Sequence, residues 1–546
     1  MAGVTTPTVC LMTTLRRVSG LVRSNLVVAS GTAVSRVTGL GRVVALAWVV
    51  GQNSLTDAYK LANETPNIIY DLLIGGVLSA TLVPVFTQLF MQEDQAATAQ
   101  ERHRARTSRH AVITMSLAAI TVVTVLAMAA APLIFRLYSL TPSPDVDAAA
   151  FREVGVILTR IFCAQIFFYG VAGIASATLH AQRRFAMAAW SPAVANVVII
   201  ATLVSLPGAG STARGLSDVL DDSRIRWTLA GGATAGIAAM ALLIAAAALR
   251  SGGAPRFTWR PRDREVRRVA AMGGWTIGFV IANQVALVVI RNLAEPGSSL
   301  ASAYFDAFTW FVLPHGLLAV SIATTFQPEL ARAAAAADHL GFTTRFTGGV
   351  AAIAALTVPA SVLLIVLREP LIAVTMQRGL FDAAATQNTA DALAGLAIGL
   401  SGFSVYLFAL RAFYAHSDTR TPFMLNTGEN ALNVVAAVLL VGPLGVFGLG
   451  LGLALAYLVA AVAALYVAHR RFGALALGEL KHTGRGLVAV GAATAVAARV
   501  ARIALGDGLA ALSVGGSAGV AAAVAVAYVT DLAGLRTTVQ RVRRAR

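Results

Sequence analysis

The sequence predicts an all-α polytopic membrane protein, and three observations carry that prediction. Apolar runs long enough to cross a bilayer, which takes roughly 20 helical residues, recur along almost all of the 546 residues. The composition agrees, at 57% hydrophobic and 13% charged with a mean hydropathy of +0.72, far from the balance of a soluble domain. Basic residues, finally, gather in every second gap between the runs, as the positive-inside rule requires. The net charge of +17 therefore belongs to membrane topology. It does not point to nucleic acid, whose partners carry a basic face on a folded surface.

About fourteen runs can be placed, centred in 25–51, 64–91, 111–137, 151–180, 188–207, 228–249, 270–293, 300–326, 347–367, 388–414, 423–441, 447–468, 486–504 and 511–530. The gap after the second reads ERHRARTSRH, with Arg102, Arg104, Arg106 and Arg109. Arg183 and Arg184 follow the fourth run, and RSGGAPRFTWRPRDREVRR follows the sixth. Arg470, Arg471, Lys481 and Arg485 follow the twelfth, and the chain ends RTTVQRVRRAR. The alternate gaps, such as SLTPSPDVD and EPGSS, are short or acidic. Both termini are thus expected in the cytoplasm. Residues 1–24 carry Arg16, Arg17 and Arg23 without a convincing signal cleavage site, and read as a cytoplasmic lead-in.

A weak internal repeat divides these runs. SATLVP ends the second run at Pro84 and ATTFQP ends the eighth at Pro328, an offset of 244. Pro192 stands four residues before Asn196, and Pro422 four before Asn426, an offset of 230. Similar offsets in the same order suggest two six-helix halves in one orientation. The expected organisation is an N-lobe over 25–250, a basic cytoplasmic linker over 251–269, a C-lobe over 270–472, two further helices over 473–535 and a basic tail over 536–546.

The first run, NLVVASGTAVSRVTGLGRVVALAWVVG, carries Arg36 and Arg42 inside an otherwise apolar span, with Gly39 and Gly41 between them. A guanidinium stays charged at any biological pH, and near mid-membrane it costs several kcal/mol. It persists where it meets water, an anion or a carboxylate. Ser35, Gly39 and Arg42 share one helical face, and Arg36 lies about 100° round from Ser35. Snorkelling to the interface is the alternative, but apolar runs flank Arg42 on both sides, which favours a polar cavity. Next comes TDAYKLANETPNIIYDLL. Pro66 should break or restart a helix there, and Asp57 either pairs with an arginine of the first run or caps a helix. Gly75-Gly76 reads as close packing.

Arg160, Arg291 and Arg411 also fall in or near spans. Arg160 is the deepest; Arg291 has Glu295 within reach, and Arg411 lies close to a span end, so both are placed to snorkel. The spans hold arginines without matching carboxylates, and a cavity so lined suits an anion, with phosphate or pyrophosphate matching the guanidinium fork best. No phosphate loop, zinc-binding His pair or nucleophile elbow occurs, and Cys10 and Cys163 make neither a disulfide framework nor a metal site. The chain reads as a transporter that uses no cofactor, and not as an enzyme.

SRVTGLGR at 35–42, TDA at 56–58, Pro66-Asn67 and the P-V-F at Pro84 resemble the start of the MurJ/MviN lipid II flippases. The resemblance continues through Arg160, RRFAMAAWSP, LPHGLLAVSIAT, QRGLFD and RAFYAHSDTRTP, and runs from about residue 25 to about residue 472. It implies a two-lobed bundle of fourteen helices in the multidrug/oligosaccharidyl-lipid/polysaccharide exporter superfamily. It also implies export of lipid-linked peptidoglycan precursor across a bacterial plasma membrane. The family's paired arginines fall on Arg36 and Arg42 and its loop aspartate on Asp57. With Asn67, Arg160 and Arg291 these form the candidate substrate-binding set. The sequence departs from the family pattern at Val43, Tyr70, Gly75 and Thr309, where many members are charged; Arg160 or Arg291 would then make up the cations. The expected mechanism has the two arginines neutralise the pyrophosphate while the polyprenyl tail stays in lipid and the lobes rock. The expected partners are lipid II, membrane lipids and cell-wall synthesis enzymes. Three rivals stand beside it: a flippase for another polyprenyl-linked glycan, a cation-coupled multidrug exporter, and a membrane scaffold for cell-wall enzymes.

Overall fold

The computed structural model describes residues 7–71, 81–252, 254–536 and 540, with backbone alone at 7–26, 71, 252, 272–282 and 533. Among the described residues, no β-strand occurs. In order, the helices are α1 (Pro7–Val50), α2 (Ser54–Ala62), α3 (Glu64–Asp71), α4 (Val83–Gln95), α5 (Ala99–Ala129), α6 (Ala131–Tyr138), α7 (Ala148–Cys163), α8 (Gln165–Ala181) and α9 (Ala186–Val204). Then follow α10 (Leu216–Asp221), α11 (Ser223–Arg226), α12 (Gly232–Gly252), α13 (Arg264–Leu293), α14 (Leu300–Pro314), α15 (Val320–Ala335) and α16 (His339–Val366). The last are α17 (Arg368–Met376), α18 (Ala383–Ile398), α19 (Leu400–Ala415), α20 (Arg420–Phe472), α21 (Leu477–Leu505) and α22 (Leu509–Val529).

Among the described residues, ten helical segments are long and apolar enough to cross a membrane, or eleven if α18 and α19, bent by 46° at Gly399, form one broken span. The protein is therefore an all-α polytopic membrane protein. The runs expected at 64–91 and 270–293 include positions 72–80 and the side chains of 272–282, outside the described residues, as is the Gly75-Gly76 packing site. The total of fourteen stays an expectation.

One element hides two spans. A straight helix of the 53 residues of α20 would be about 80 Å long at 1.5 Å per residue. Yet Asp418, just before it, lies 2.8 Å from Arg471 in its last turn. The chain reverses at Gly445, whose φ of 54° and ψ of −137° suit a residue without a Cβ. The two arms match the separate runs expected at 423–441 and 447–468. The predicted interruption before Pro66 is also present: α2 ends at Ala62 and α3 begins at Glu64, leaving the proline in the first turn, where its missing N–H breaks no helical bond.

The chain divides into two compact units. The first comprises 1–49, 58–137 and 149–280; the second comprises 50–57, 138–148 and 281–546. In the first, Thr98 and Glu101 make a reciprocal cap that starts α5, satisfying two orphan donors. Phe86 and Leu89 of α4 pack with Val112 of α5 and Ile174 of α8, and α12 lies against both α8 and α9. In the second unit, Phe342 and Phe346 of α16 pack with Phe408 and Phe413 of α19. The rings of Phe346 and Phe408 stack at 5.5 Å. The second arm of α20 approaches α18 so closely that a Cβ on Gly395 would meet the backbone of Phe447 and Leu451. Small residues allow such backbone contact where lipid supplies no hydrophobic drive between helices. α21 and α22 pair, and α21 packs on α16.

Candidate functional site

In the first unit, α1 is seated on α9 by a small polar face. Trp190 Nε1 donates to the carbonyl of Val27 at 2.9 Å. Asn196 Nδ2 donates to Ser35 O at 3.3 Å and to Thr38 Oγ1 at 3.2 Å. A Cβ on Gly31 would collide with the Trp190 indole, so a glycine is what lets the two helices meet. This contact fixes the rotation of the span Val27–Val50 and with it the direction of its arginines. Arg36 is exposed and Arg42 half-buried. They lie about 14 and 22 Å along the span from Val27. Neither takes part in an ion pair among the described residues. Arg42 lies within electrostatic reach of Tyr59, whose ring meets Phe162 of α7 edge-on at 5.0 Å.

Asn67, on α3, accepts a hydrogen bond from the Tyr169 hydroxyl of α8 at 3.3 Å, beside the Tyr70–Tyr169 ring pair at 4.4 Å. Tyr70 thus has a packing role at a position where the resemblance expects a charge. Arg160 is exposed. It is two residues before Phe162, about 200° round α7, so it projects from the side opposite the Tyr59 contact. The first unit thus holds Arg36, Arg42 and Arg160 as cations without ion-pair partners among the described residues, and ties Asn67 to an aromatic pair.

The second unit receives the other two candidates: Asp57 anchors the turn between α13 and α14, and Arg291 packs from α13 against α14. Asp57 is 0% exposed. Its Oδ2 accepts from the backbone N–H of Gly297 at 2.9 Å and of Ser299 at 3.0 Å, and its Oδ1 from that of Ser302 at 2.8 Å. A carboxylate at a helix N-terminus is favoured by the dipole and by the orphan donors there. Of the two readings open in the sequence, this is capping, but of α14 and not of its own helix. The turn needs the anchor, since Glu295, Gly297 and Ser299 all have positive φ. Arg291 is 6% exposed, with its guanidinium 3.6 Å from the centroid of Phe305 and 5.7 Å from that of Tyr304. It does not snorkel. Glu295, its expected partner, is exposed. Arg411 donates to Gln327 Oε1 at 3.0 Å.

Two carboxylates were not anticipated. Asp306 on α14 and Glu429 on α20 are 3% and 4% exposed inside spans, so the spans are not free of acidic groups. The signal for Glu429 was the polar run TGEN inside an apolar stretch. Next to it, Asn426 and Asn430 both donate to Asn283 Oδ1, at 3.1 and 2.9 Å. Asn426 follows its proline by four residues as Asn196 does, and each ties its helix to an earlier helix of its own unit. The DTRTP motif is a helix start: Asp418 accepts from the Thr421 N–H at 3.0 Å and hydroxyl at 2.6 Å, and Arg471 closes the group. Among the described residues, no cluster of three or more His, Cys, Asp or Glu is disposed to hold a metal ion.

The family model described as lipid II flippase MurJ matches residues 46–509. The lipid II flippase MurJ of Burkholderia cenocepacia is 27% identical over 440 residues, 79% of this chain and 81% of that protein. The probable lipid II flippase MurJ of Vibrio cholerae is 26% identical over 433 residues, 79% of each. Among solved structures, a lipid II flippase MurJ in an inward closed conformation superposes with a TM-score of 0.73 at 18% identity, covering 93% of this chain and 99% of that one. An inward-facing multidrug resistance transporter of the MATE family matches with a TM-score of 0.64 at 14% identity, covering 80% and 95%. At these identities the structural matches speak for the fold.

Proposed function

The chain belongs to the lipid II flippase MurJ family, and from that premise we propose that it carries lipid II from the inner to the outer leaflet of a bacterial plasma membrane. It is a transporter and not an enzyme. The observation that carries the reading is the pair Arg36 and Arg42, held inside a span by the α1–α9 contact without an ion pair among the described residues. A guanidinium at that depth needs water or an anion about it, and a pyrophosphate offers the oxygens that the planar fork can bond in pairs. The large polar headgroup requires a wide, wet cavity, which the exposure of Arg36 suits. Alternating access exposes that cavity to one side at a time. The paired proline–asparagine contacts in the two units support the repeat that such a mechanism uses, with lobes over 25–250 and 270–472, the linker 251–269, two helices over 473–535, and both termini cytoplasmic. Asn67 stands on this route beside Tyr169, whereas Asp57 anchors the α13–α14 turn and Arg291 packs against α14.

The test is complementation of a flippase-depleted strain with membrane abundance measured in parallel. Arg42→Ala abolishes growth at normal abundance, because the charge opposes insertion rather than stabilising it. Arg42→Lys retains part of the activity, and Arg36→Lys more. Full complementation by the Arg36→Ala, Arg42→Ala double variant at normal abundance would overturn the anion reading. The buried carboxylates Asp306 and Glu429 favour a second reading, the cation-coupled multidrug exporter. Depletion separates them: a flippase traps lipid-linked precursor in the inner leaflet, and an exporter alters drug sensitivity alone. For topology, a cysteine placed at Ser251 is shielded from impermeant reagents in intact cells; labelling from outside would refute the arrangement.

A further inference from the structure

A basic pocket of about 460 Å³ lies in the first unit between the start of α5 and the segment 254–258. His103, Arg106, Thr107 and His110 line it, and their i, i+3, i+4, i+7 spacing puts them on one helical face. Arg109 and Arg256 complete its charge. The opposite wall is pinned in place. The backbone N–H of Thr258 donates to Thr114 Oγ1 at 3.1 Å, and Ser108 Oγ donates to Asp263 at 2.8 Å. One carboxylate serves two of the arginines: Glu93 lies 2.6 Å from Arg106 and 3.2 Å from Arg109. Arg256, exposed on the segment, adds a third guanidinium. Among the described residues, the pocket's three arginines outnumber the one carboxylate paired with them, Glu93, and the pocket is positively charged.

The same segment presents Phe257 and Trp259, 82% and 58% exposed, with ring centroids 6.5 Å apart and planes within 18°. Two large exposed aromatics in an arginine-rich connection are costly in water. They are at home at a membrane interface, where the ring sits at headgroup depth. The depth is right: the apolar run of α5 begins at Ala111, one residue past His110. The pocket therefore lies at the level where the apolar run of α5 begins, with cations inside and two exposed aromatics beside it.

We propose that this pocket binds the headgroup of an anionic glycerophospholipid from the adjoining leaflet. Arg106 and Arg256 hold the phosphate, and Phe257 and Trp259 rest against the glycerol and upper acyl chains. A free phosphate would use the arginines but not the aromatics. This separates the two sources of the same chemistry. The inference does not depend on the flippase reading.

The test uses the full-length protein in detergent, titrated with phosphatidylglycerol, phosphatidylcholine and inorganic phosphate and read by native mass spectrometry. Phosphatidylglycerol should be retained at least tenfold more than phosphatidylcholine. Arg256→Gln should weaken its retention about fivefold, the share of one arginine near an anionic surface, and adding Arg106→Gln about fivefold again. Phe257→Ser with Trp259→Ser should weaken phosphatidylglycerol and leave inorganic phosphate unchanged. Arg256 is exposed on a surface segment, so the single variant carries the test if the double variant loses monodispersity. Equal retention of the two lipids overturns the proposal. So does an Arg256→Gln variant that binds as the parent does. Displacement of lipid by equimolar inorganic phosphate, with the aromatic variant unaffected, would make this a site for a soluble phosphoryl group instead.

Discussion

Replacing Asp57 distinguishes a structural carboxylate from one that meets the substrate. Three backbone N–H groups donate to it, two to one oxygen and one to the other, in a site with no exposure. Asp57→Asn keeps the shape and one acceptor oxygen, but turns an NH₂ group toward a remaining N–H donor. One charge-assisted bond is lost, worth about 1.5–3 kcal/mol, together with about 0.5 kcal/mol of dipole stabilisation at the α14 N-terminus. Asp57→Ala leaves all three donors without the carboxylate. At about 1–3 kcal/mol for each buried unsatisfied group, partly relieved by relaxation, the loss is about 4 kcal/mol. The assay is the apparent melting temperature of the purified full-length protein, with membrane abundance and transport per folded molecule. We expect graded losses of stability, Ala beyond Asn, with transport falling in step with abundance. Normal melting and abundance in either variant, combined with lost transport, would refute the capping argument and return Asp57 to the substrate route.

Two further outcomes follow from the packing. Asp418 titrates below the usual carboxylate range: burial pushes it up, but hydrogen bonds from the Thr421 hydroxyl and N–H and the charge of Arg471 outweigh that. The tie it makes is therefore present above about pH 4, the ordinary carboxyl value, and lost as pH falls through the lowered one. The melting difference between the parent and Asp418→Asn should be present at neutral pH and close in acid; a pH-independent gap would contradict it. Gly395→Ala should cost about 1–3 kcal/mol, as overpacking does, because its Cβ meets the backbone of α20. Gly428→Ala, with nothing within 4 Å of its Cβ, is the control and should melt no lower than the parent, since alanine favours a helix over glycine; equal losses at both positions would show that the α18–α20 approach is not the cause.

The class of this protein was legible in its sequence because a bilayer imposes a one-dimensional rule. A span needs about 20 apolar residues whatever it packs against, and loop charge follows the same rule locally. The break before Pro66 was readable because proline acts on the backbone where it stands, and the two arms of α20 were readable as two separate apolar runs. Arg36 and Arg42 were readable as candidates because a charge inside an apolar run is costly in any fold. Roles that depend on distant neighbours were not. Asp57 meets donors 240 or more residues away, so spacing suggested a cap without saying which helix it caps. Arg291 lies under aromatic rings from the next helix, which no local pattern announces, and its place near a span end suggested snorkelling instead. Glu429 stands in a span whose hydropathy hides one carboxylate among many apolar residues. Sequence fixes which groups a membrane makes expensive; only tertiary packing decides what each group is set against, because the partner that offsets its cost comes from elsewhere in the chain.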